Sequence, residues 1–203
     1  MKLDYNAPVV LTFTLLSAAV MVAANSTGGA MAYWFSTQPG LSWSDLSTYF
    51  RLFSHVFGHA NWDHLFGNFT IILLVGPLLE EKYGSQNMVI MIAMTALVTS
   101  LLNNFFFSTG LMGASGIVFM MILLSSFANL KQGRIPLTFV IIVVLFLGKE
   151  VYNSLNMDNI SQFAHILGGI CGSIFGFSQK DLVALRGTSA APSSAMPKDP
   201  FAL

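Results

Sequence analysis

The sequence predicts an all-α polytopic membrane protein, with six transmembrane helices in a bundle and a membrane-associated loop between the first two. Of the 203 residues, 54% are hydrophobic and only 9% are charged, whereas soluble domains carry about 25% charged residues. The apolar residues form runs approaching the roughly 20 residues that a helix needs to cross a bilayer. The formal net charge is zero and no basic run is present, so the electrostatic footprint of a nucleic-acid-binding protein is missing.

The first predicted span, residues 8–25, is a continuous apolar run near the N-terminus. It also resembles a cleavable signal peptide, because Val22 and Ala24 suit a cleavage site. Asp4 and Pro8 do not fit the usual basic leader, and cleavage would discard a span. We therefore expect the first helix to be retained.

The segment 26–63 combines turn-forming residues with aromatic ones, and all three tryptophans lie in it. Amphipathic aromatic rings prefer the headgroup level of a bilayer. We therefore expect an interfacial loop that lies in or on the membrane surface, with short helices around residues 43–53. Its amphipathic aromatic residues are Tyr33, Trp34, Trp43, Tyr49 and Trp62.

Five further spans are predicted from the remaining apolar runs. They cover residues 64–80, 87–107, 115–130, 135–152 and 161–178. Pro136 stands in the first turn of the fifth span, where a missing N–H costs least. The resulting membrane domain comprises residues 1–178. Residues 179–203 are rich in Ser, Ala and Pro, which predicts a disordered tail.

Charge placement predicts the orientation, because cytoplasmic loops carry an excess of Lys and Arg. With the N-terminus inside, only Arg51 and Lys149 fall on the outer side. The seven basic residues on the inner side are Lys2, Lys82, Lys131, Arg134, Lys180, Arg186 and Lys198. We therefore expect both termini in the cytoplasm.

Histidines are the polar residues that stand out, since ionisable side chains in a membrane are costly and mark functional sites. His55, His59 and His64 lie in or next to the interfacial loop, and His165 lies in the sixth span. His64 and Asn68 are four residues apart and share a helix face. Both can donate hydrogen bonds to one point, as a developing oxyanion requires. A polar contact between helices is the simpler account of Asn68 alone.

His165 lies beside a ridge of small residues in the sixth span. Ala164, Gly168, Gly172 and Gly176 follow one another at four-residue spacing. Such a ridge lets another membrane helix approach to near backbone contact. We expect the fourth helix to be the one that packs there.

A possible nucleophile stands at the start of the fourth span, in Gly113-Ala114-Ser115-Gly116. Small-residue clusters in membrane helices are mostly packing surfaces, so the serine gains significance only if a base lies nearby. If the fourth and sixth helices pack along the ridge, the Ser115 hydroxyl and the His165 imidazole come to the same depth. A neutral imidazole, with a pKa of about 6.5, is the usual base for a serine. Asp158 precedes the span, which favours a dyad over a triad, and the Phe119 ring could hold the imidazole instead.

Taken together, these motifs closely resemble the rhomboid family of intramembrane serine proteases. They occur in order on the second, fourth and sixth predicted spans, and the resemblance covers about residues 45–177. The motifs are His59, His64 and Asn68 in the pattern H-x₄-H-x₃-N, then Gly113-Ala114-Ser115-Gly116, then Ala164-His165 followed by Gly168 and Gly172.

The resemblance implies a serine endopeptidase, of the compact six-span bacterial type, that cleaves in or next to transmembrane segments. Ser115 would be the nucleophile and His165 the general base and acid. His64, Asn68 and the backbone N–H of Ser115 would form the oxyanion site. His59 and His55 would support that site.

The resemblance also implies structural roles. Gly113, Gly116, Gly168 and Gly172 would allow close backbone approach. Glu80 would be a structural residue at the cytoplasmic end of the second helix, and Arg51 the loop arginine. Two positions depart from the pattern: Phe119 stands where many relatives carry Tyr, which keeps the ring stacking but loses the hydroxyl, and Phe50 stands where Trp is common.

The implied surroundings are a lipid bilayer, with a bacterial inner membrane as the expected location and the active site near the outer face. Partners would be transmembrane protein substrates and membrane lipids, with no nucleic acid and no cofactor. Substrates would enter sideways past the fifth helix, with Phe139, Leu145 and Phe146 as a gate.

Two other functions are open at this point. The three histidines between residues 55 and 64 could bind a metal or a haem, since imidazole is a common ligand. No carboxylate or cysteine completes a recognisable set, and there is no His-Glu-x-x-His motif. We interpret the single cysteine, Cys171, as a small core residue. The second alternative is a non-proteolytic relative that only binds transmembrane helices.

Overall fold

The computed structural model describes residues 3–40, 42–107, 109–127 and 160–189, together with positions 137, 140, 141, 144 and 145. In the segment 160–189, side chains are described for residues 162–178. Within these residues the regular secondary structure is entirely helical, as predicted.

Six α-helices and two short 3₁₀ helices have defined bounds within the described part of the chain. The α-helices are α1 (Pro8–Ser26), α2 (Leu46–Ser54), α3 (Trp62–Tyr83), α4 (Ser85–Phe106), α5 (Ser115–Phe127) and α6 (Ile160–Ser189). The 3₁₀ helices, Ala30–Phe35 and His55–Phe57, lie on either side of α2. The interfacial loop therefore contains the short helices that its sequence predicts.

Three of these helices, α1, α3 and α4, are long and apolar enough to cross a membrane, counting only described residues. The described part of α5 is apolar but shorter, and the end of the predicted fourth span lies outside the described residues. The predicted fifth span, 135–152, does too, except for five exposed helical positions that include Leu145. The count of six spans therefore stays a prediction.

Most observed helix ends lie within about three residues of the predicted ones, and the end of α6 lies further away. Helix α3 begins at Trp62 rather than at residue 64, because the Asn61 side chain accepts a hydrogen bond (2.8 Å) from the His64 N–H and caps the helix. Helix α6 continues to Ser189, beyond the predicted end at residue 178. Most residues just past that point, such as Leu182, Ala184 and Leu185, are good helix formers. Residues 190–203 of the predicted tail lie outside the described residues.

Helix α5 is the centre of the bundle and packs against α3, α4 and, most extensively, α6. Its side chains Ile117, Met120, Met121 and Leu124 are completely buried. A helix that is apolar on every side is buried either among other helices or in lipid. Here other helices surround α5, so its first residue, Ser115, is placed by the whole bundle.

Glu80 joins three helices at the other end of the bundle. The first-turn N–H groups of α1 have no acceptor in their own helix and no side-chain cap. The Val9 and Val10 N–H groups donate to the two Glu80 carboxylate oxygens, at 3.0 and 2.9 Å. The Ser85 hydroxyl, at the start of α4, donates to the same carboxylate at 2.7 Å. In the structure α1 is therefore an integral part of the bundle, held by a residue of α3.

Candidate active site

Ser115 is the first residue of α5, so its backbone lies in the first turn of that helix, where N–H groups lack intrahelical acceptors. The Val118 N–H bonds to the Ala114 C=O at 3.0 Å, which marks Ala114 as the cap. The N–H groups of residues 115–117 have no intrahelical acceptor. A helix N-terminus of this kind stabilises negative charge through its free donors and its dipole. The Ser115 side chain is half-buried and sits beside these donors.

Helices α5 and α6 touch through their backbones, as the small-residue ridge predicts. A Cβ atom on Gly168 would overlap the carbonyl oxygen of Gly116 and lie 2.9 Å from the Gly116 Cα. One turn further, a Cβ on Gly172 would meet the carbonyl group of Met120 in the same way. Near the serine, the Ala164 carbonyl oxygen is 3.4 Å from the Cβ position of Gly116. The residue before His165 thus adjoins the residue after Ser115.

The His165 imidazole stacks flat on the Phe119 ring. The ring centroids are 4.4 Å apart and the planes differ by only 6°. Phe119 follows Ser115 by four residues on α5, so both side chains lie on the same face of the helix. The stack therefore holds the imidazole on the face of α5 that carries the Ser115 hydroxyl. This is the orientation that the sequence suggests for a base held by an aromatic ring.

The His64 imidazole lies against the loop that precedes the serine. A Cβ atom on Gly113 would be 2.7 Å from the His64 Cε1 and 2.9 Å from its Nε2. Gly113 also has a φ of +131°, a conformation that side chains disfavour. Both the close contact with His64 and the positive φ therefore require glycine at position 113. His64 and His165 are close enough to interact electrostatically, so the second, fourth and sixth predicted spans all contribute to one cluster.

His59 and Asn68 form a hydrogen-bonded pair behind His64. The Asn68 amide donates to the His59 Nε2 at 3.0 Å, and the opposite ring nitrogen, Nδ1, lies 3.3 Å from the Phe57 carbonyl oxygen. A ring that accepts at Nε2 and donates from Nδ1 is neutral. Burial, with repulsion from His64, lowers the pKa of His59 to about 4. The His59 and His64 ring centroids are 5.1 Å apart.

Asn68 thus has fewer amide hydrogens available for an oxyanion than the sequence suggests. The spacing predicts that Asn68 and His64 aim at one point, whereas one amide hydrogen of Asn68 is used by His59. An amide group has two hydrogens, so Asn68 retains a second donor. The pattern did not reveal this pairing because His59 precedes α3 and is brought back by the turn at residues 58–61.

His55 contacts residues 109–113, here called the serine loop, through its main chain. Its carbonyl oxygen accepts the Gly113 N–H at 3.0 Å. The imidazole itself is 1% exposed, and this burial lowers the pKa of His55 to about 4. His55 therefore lies next to the serine loop, with its backbone rather than its ring in contact with the loop; its supporting role stays a prediction.

Two residues that sequence reasoning did not single out also hold the serine loop. The Thr37 N–H donates to the Leu111 C=O (2.9 Å), and the Leu111 N–H donates to the Thr37 hydroxyl oxygen (2.7 Å). The Asn103 amide donates to the Thr109 C=O at 2.9 Å. Asn103 could have been found, because a strongly polar residue inside an apolar span is the signal that was applied to the histidines. Nothing in the sequence marks Thr37.

Arg51 lies in the interfacial loop, and the polar partners described for its side chain belong to the same loop. Its guanidinium donates to the Ser47 hydroxyl (2.6 Å), forms an ion pair with Asp45 (3.3 Å) and lies 4.5 Å from the centroid of the Tyr33 ring. Hydrogen bonds from the Ser47 hydroxyl and N–H, helped by Arg51, lower the pKa of the Asp45 carboxyl. Arg51 therefore organises the loop rather than the serine.

Several sequence-based expectations fall outside the described residues. They concern Asp158, Lys149 and the gate residues Phe139 and Phe146. For the metal alternative, no group of three or more histidine, cysteine or acidic side chains within the described segments is arranged to hold an ion. Cys171 is a buried free thiol, in keeping with a small core residue.

A protein-family model described as Rhomboid domain matches residues 46–180. The match covers about two thirds of the chain and includes α2 to α5 and most of α6. No curated protein matches the chain.

Proposed function

Because this chain belongs to the rhomboid family and is an integral membrane protein, we propose that it is an intramembrane serine endopeptidase. It hydrolyses peptide bonds in or next to the transmembrane segments of other membrane proteins. Ser115 and His165 form its catalytic dyad, and no cofactor takes part.

The stack of His165 on Phe119, at 4.4 Å and 6°, is the observation that carries this proposal. A serine hydroxyl is a weak nucleophile until a base takes its proton. The stack places the imidazole on the serine face of α5, and at Gly116 and Gly168 the two helices are in direct backbone contact. The geometry supports proton transfer between His165 and Ser115.

In the proposed mechanism the Ser115 oxygen attacks the scissile carbonyl carbon while His165 accepts the hydroxyl proton. The oxyanion that forms is stabilised by the Ser115 N–H, at the open turn of α5, and by the side chains of His64 and Asn68. Prearranged donors of this kind contribute about 10²–10³ in rate each. His165 then gives the proton to the leaving amine, and water releases the acyl-enzyme by the same path.

The substrate must expose a carbonyl that a membrane helix normally hides in its own hydrogen bonds. Segments weakened by Gly or Pro unwind most easily, so we expect them to be preferred. The family resemblance adds a small residue before the cut. The water that the second step needs is most accessible if the site lies near the outer face of a bacterial inner membrane, with both termini cytoplasmic.

The proposal is tested with purified protein and a model transmembrane substrate. Ser115→Ala and His165→Ala are each expected to abolish cleavage while the protein stays folded. Cleavage that persists in either variant would end the dyad proposal. Asn68→Ala is expected to be milder, because other donors remain; a loss as complete as that of Ser115→Ala would show that Asn68 has another role.

A serine-reactive fluorophosphonate separates this function from the alternatives. Labelling of the wild type at Ser115, and its absence in Ser115→Ala, supports a protease. A non-proteolytic relative that only binds transmembrane helices would not be labelled. A histidine-based metal or haem protein would carry stoichiometric metal, and chelators would abolish its activity.

A further inference from the structure

We infer that Thr37, in the interfacial loop, is a positioning residue for the oxyanion site. It acts through the serine loop, residues 109–113, which leads directly into Ser115. The inference rests on the proposed function and adds to it a residue that lies 78 positions before the nucleophile in the sequence.

The serine loop has no regular secondary structure of its own and depends on contacts with other segments. Two hydrogen bonds join Leu111, at its middle, to Thr37: one at 2.9 Å from the Thr37 N–H and one at 2.7 Å to the Thr37 hydroxyl. Gly110 packs on the same residue, since a Cβ there would be 2.6 Å from the Thr37 carbonyl oxygen. Three backbone or side-chain groups of Thr37 therefore hold one short stretch of loop.

The ends of the serine loop are held separately. Asn103 donates to the Thr109 carbonyl, and the His55 carbonyl accepts from the Gly113 N–H. Thr37 is therefore the middle of three attachments. It is also buried, with 3% of its surface exposed, and Leu111 is 8% exposed. Water cannot readily replace the Thr37 hydroxyl as the acceptor for the Leu111 N–H.

The position of the serine loop sets two of the proposed oxyanion donors at once. Gly113 supports the His64 ring, and two residues later the chain supplies the Ser115 N–H. A displacement of the loop would turn that N–H and release the imidazole. Because oxyanion contacts form in the transition state rather than with bound substrate, such a displacement affects kcat more than KM.

The hydroxyl is the part of Thr37 that distinguishes this role from simple packing. Thr37→Val keeps the size, the β-branch and the backbone N–H, and removes only the acceptor for Leu111. Thr37→Ser keeps the acceptor and loses one methyl group. We expect Thr37→Val to lower kcat about ten-fold with KM changed less than about two-fold, and Thr37→Ser to retain most of the wild-type kcat.

The experiment measures kcat and KM for cleavage of a model transmembrane substrate, together with the rate of fluorophosphonate labelling at Ser115. Labelling is expected to slow in parallel with kcat in Thr37→Val, because the phosphonyl oxygen occupies the oxyanion position. Amide hydrogen exchange at Leu111 is expected to be faster in that variant. Thr14→Val is the matched control: Thr14 is buried in α1 and its hydroxyl bonds only to Val10 of its own helix among the described residues.

Ser100→Ala controls for a general loss of stability, because it removes a buried hydrogen bond from α4 to the Leu52 carbonyl of α2. A fall in kcat in Ser100→Ala equal to that in Thr37→Val would overturn the inference. So would a wild-type kcat in Thr37→Val, or an equal loss in Thr37→Ser. An active wild type with an inactive Ser115→Ala would in those cases leave the proposed function standing, whereas a wild type that neither cleaves nor labels overturns both.

Discussion

The backbone contact between α5 and α6 allows a test with two neighbouring glycines. Gly168 and Gly169 lie on the same helix, but only Gly168 faces Gly116. A Cβ on Gly168 would lie 2.8 Å from the Gly116 carbonyl carbon and would overlap its oxygen. A Cβ on Gly169 would lie 3.6 Å from the nearest atom, the Cγ of Leu123, which is ordinary contact. Gly168→Ala and Gly169→Ala thus add the same methyl group, in one case against the backbone of α5 and in the other where there is room for it.

The size of the effect follows from that geometry. Ordinary contact begins near 3.4 Å, so relief of the carbon contact alone takes about 0.6 Å and the overlapped oxygen requires more. A separation of about 1 Å moves His165 away from Ser115, and misplacement on that scale costs about 10²-fold in rate. Overpacking costs about 1–3 kcal/mol. Each alanine also gains about 1 kcal/mol of helix propensity, which cancels when the two variants are compared.

We therefore expect Gly168→Ala to lower kcat by about 10²-fold and to be about 1–3 kcal/mol less stable than Gly169→Ala. Gly169→Ala should keep its kcat and unfold at the wild-type temperature or above. Cleavage of a model substrate and thermal unfolding in one detergent measure both quantities. Wild-type kcat in Gly168→Ala, or equal losses in the two variants, would refute the close approach and with it the placement of His165.

Two further predictions concern stability. Glu80→Ala removes the acceptor for the first turn of α1 and should lower the free energy of unfolding by about 1–3 kcal/mol. Glu80→Gln should lower it less, and in both variants kcat per folded molecule should be unchanged. A drop in kcat without a drop in stability would contradict this. The pKa values of His55 and His59 are lowered to about 4, so both rings take up protons on unfolding between pH 6.5 and about 4. The free energy of unfolding is therefore insensitive to these two rings above pH 6.5. As pH falls from 6.5 towards 4, it decreases by up to about 3 kcal/mol per pH unit. His59→Gln should flatten this dependence in pH-titrated unfolding, and an unchanged slope would show that His59 is not the group.

The parts of the site that the sequence could predict share one property: their partners lie on the same helix or along a repeating ridge. The four-residue spacing of Gly168 and Gly172 predicts close packing, and the structure shows it against Gly116 and Met120. The spacing of Ser115 and Phe119 likewise places both on one face of α5. Helical periodicity is a local rule, so it fixes which side chains share a face before any tertiary contact is known.

The parts that the sequence could not predict are contacts between irregular segments. Thr37 and Leu111 are 74 residues apart, and neither lies in a regular helix whose periodicity could place it. The pairing of Asn68 with His59 depends on the turn before α3. For Glu80, the family resemblance implied a structural role, but its acceptance of two N–H groups from α1 depends on how the two helices dock.

The polar contacts that hold the bundle together lie at its two ends. At one end the Glu80 carboxylate ties the first turn of α1 to α3 and α4, far along the bundle from the serine. At the other end Thr37, His55 and Asn103 hold the serine loop, and between the ends the helices pack through glycine and apolar side chains. Because each attachment uses different residues, stability and catalysis should respond in different proportions. Glu80 variants should change unfolding alone, and Thr37 variants should lower kcat beyond what their loss of a buried hydrogen bond explains. Gly168 variants should change both, because the helix contact at Gly168 also positions His165.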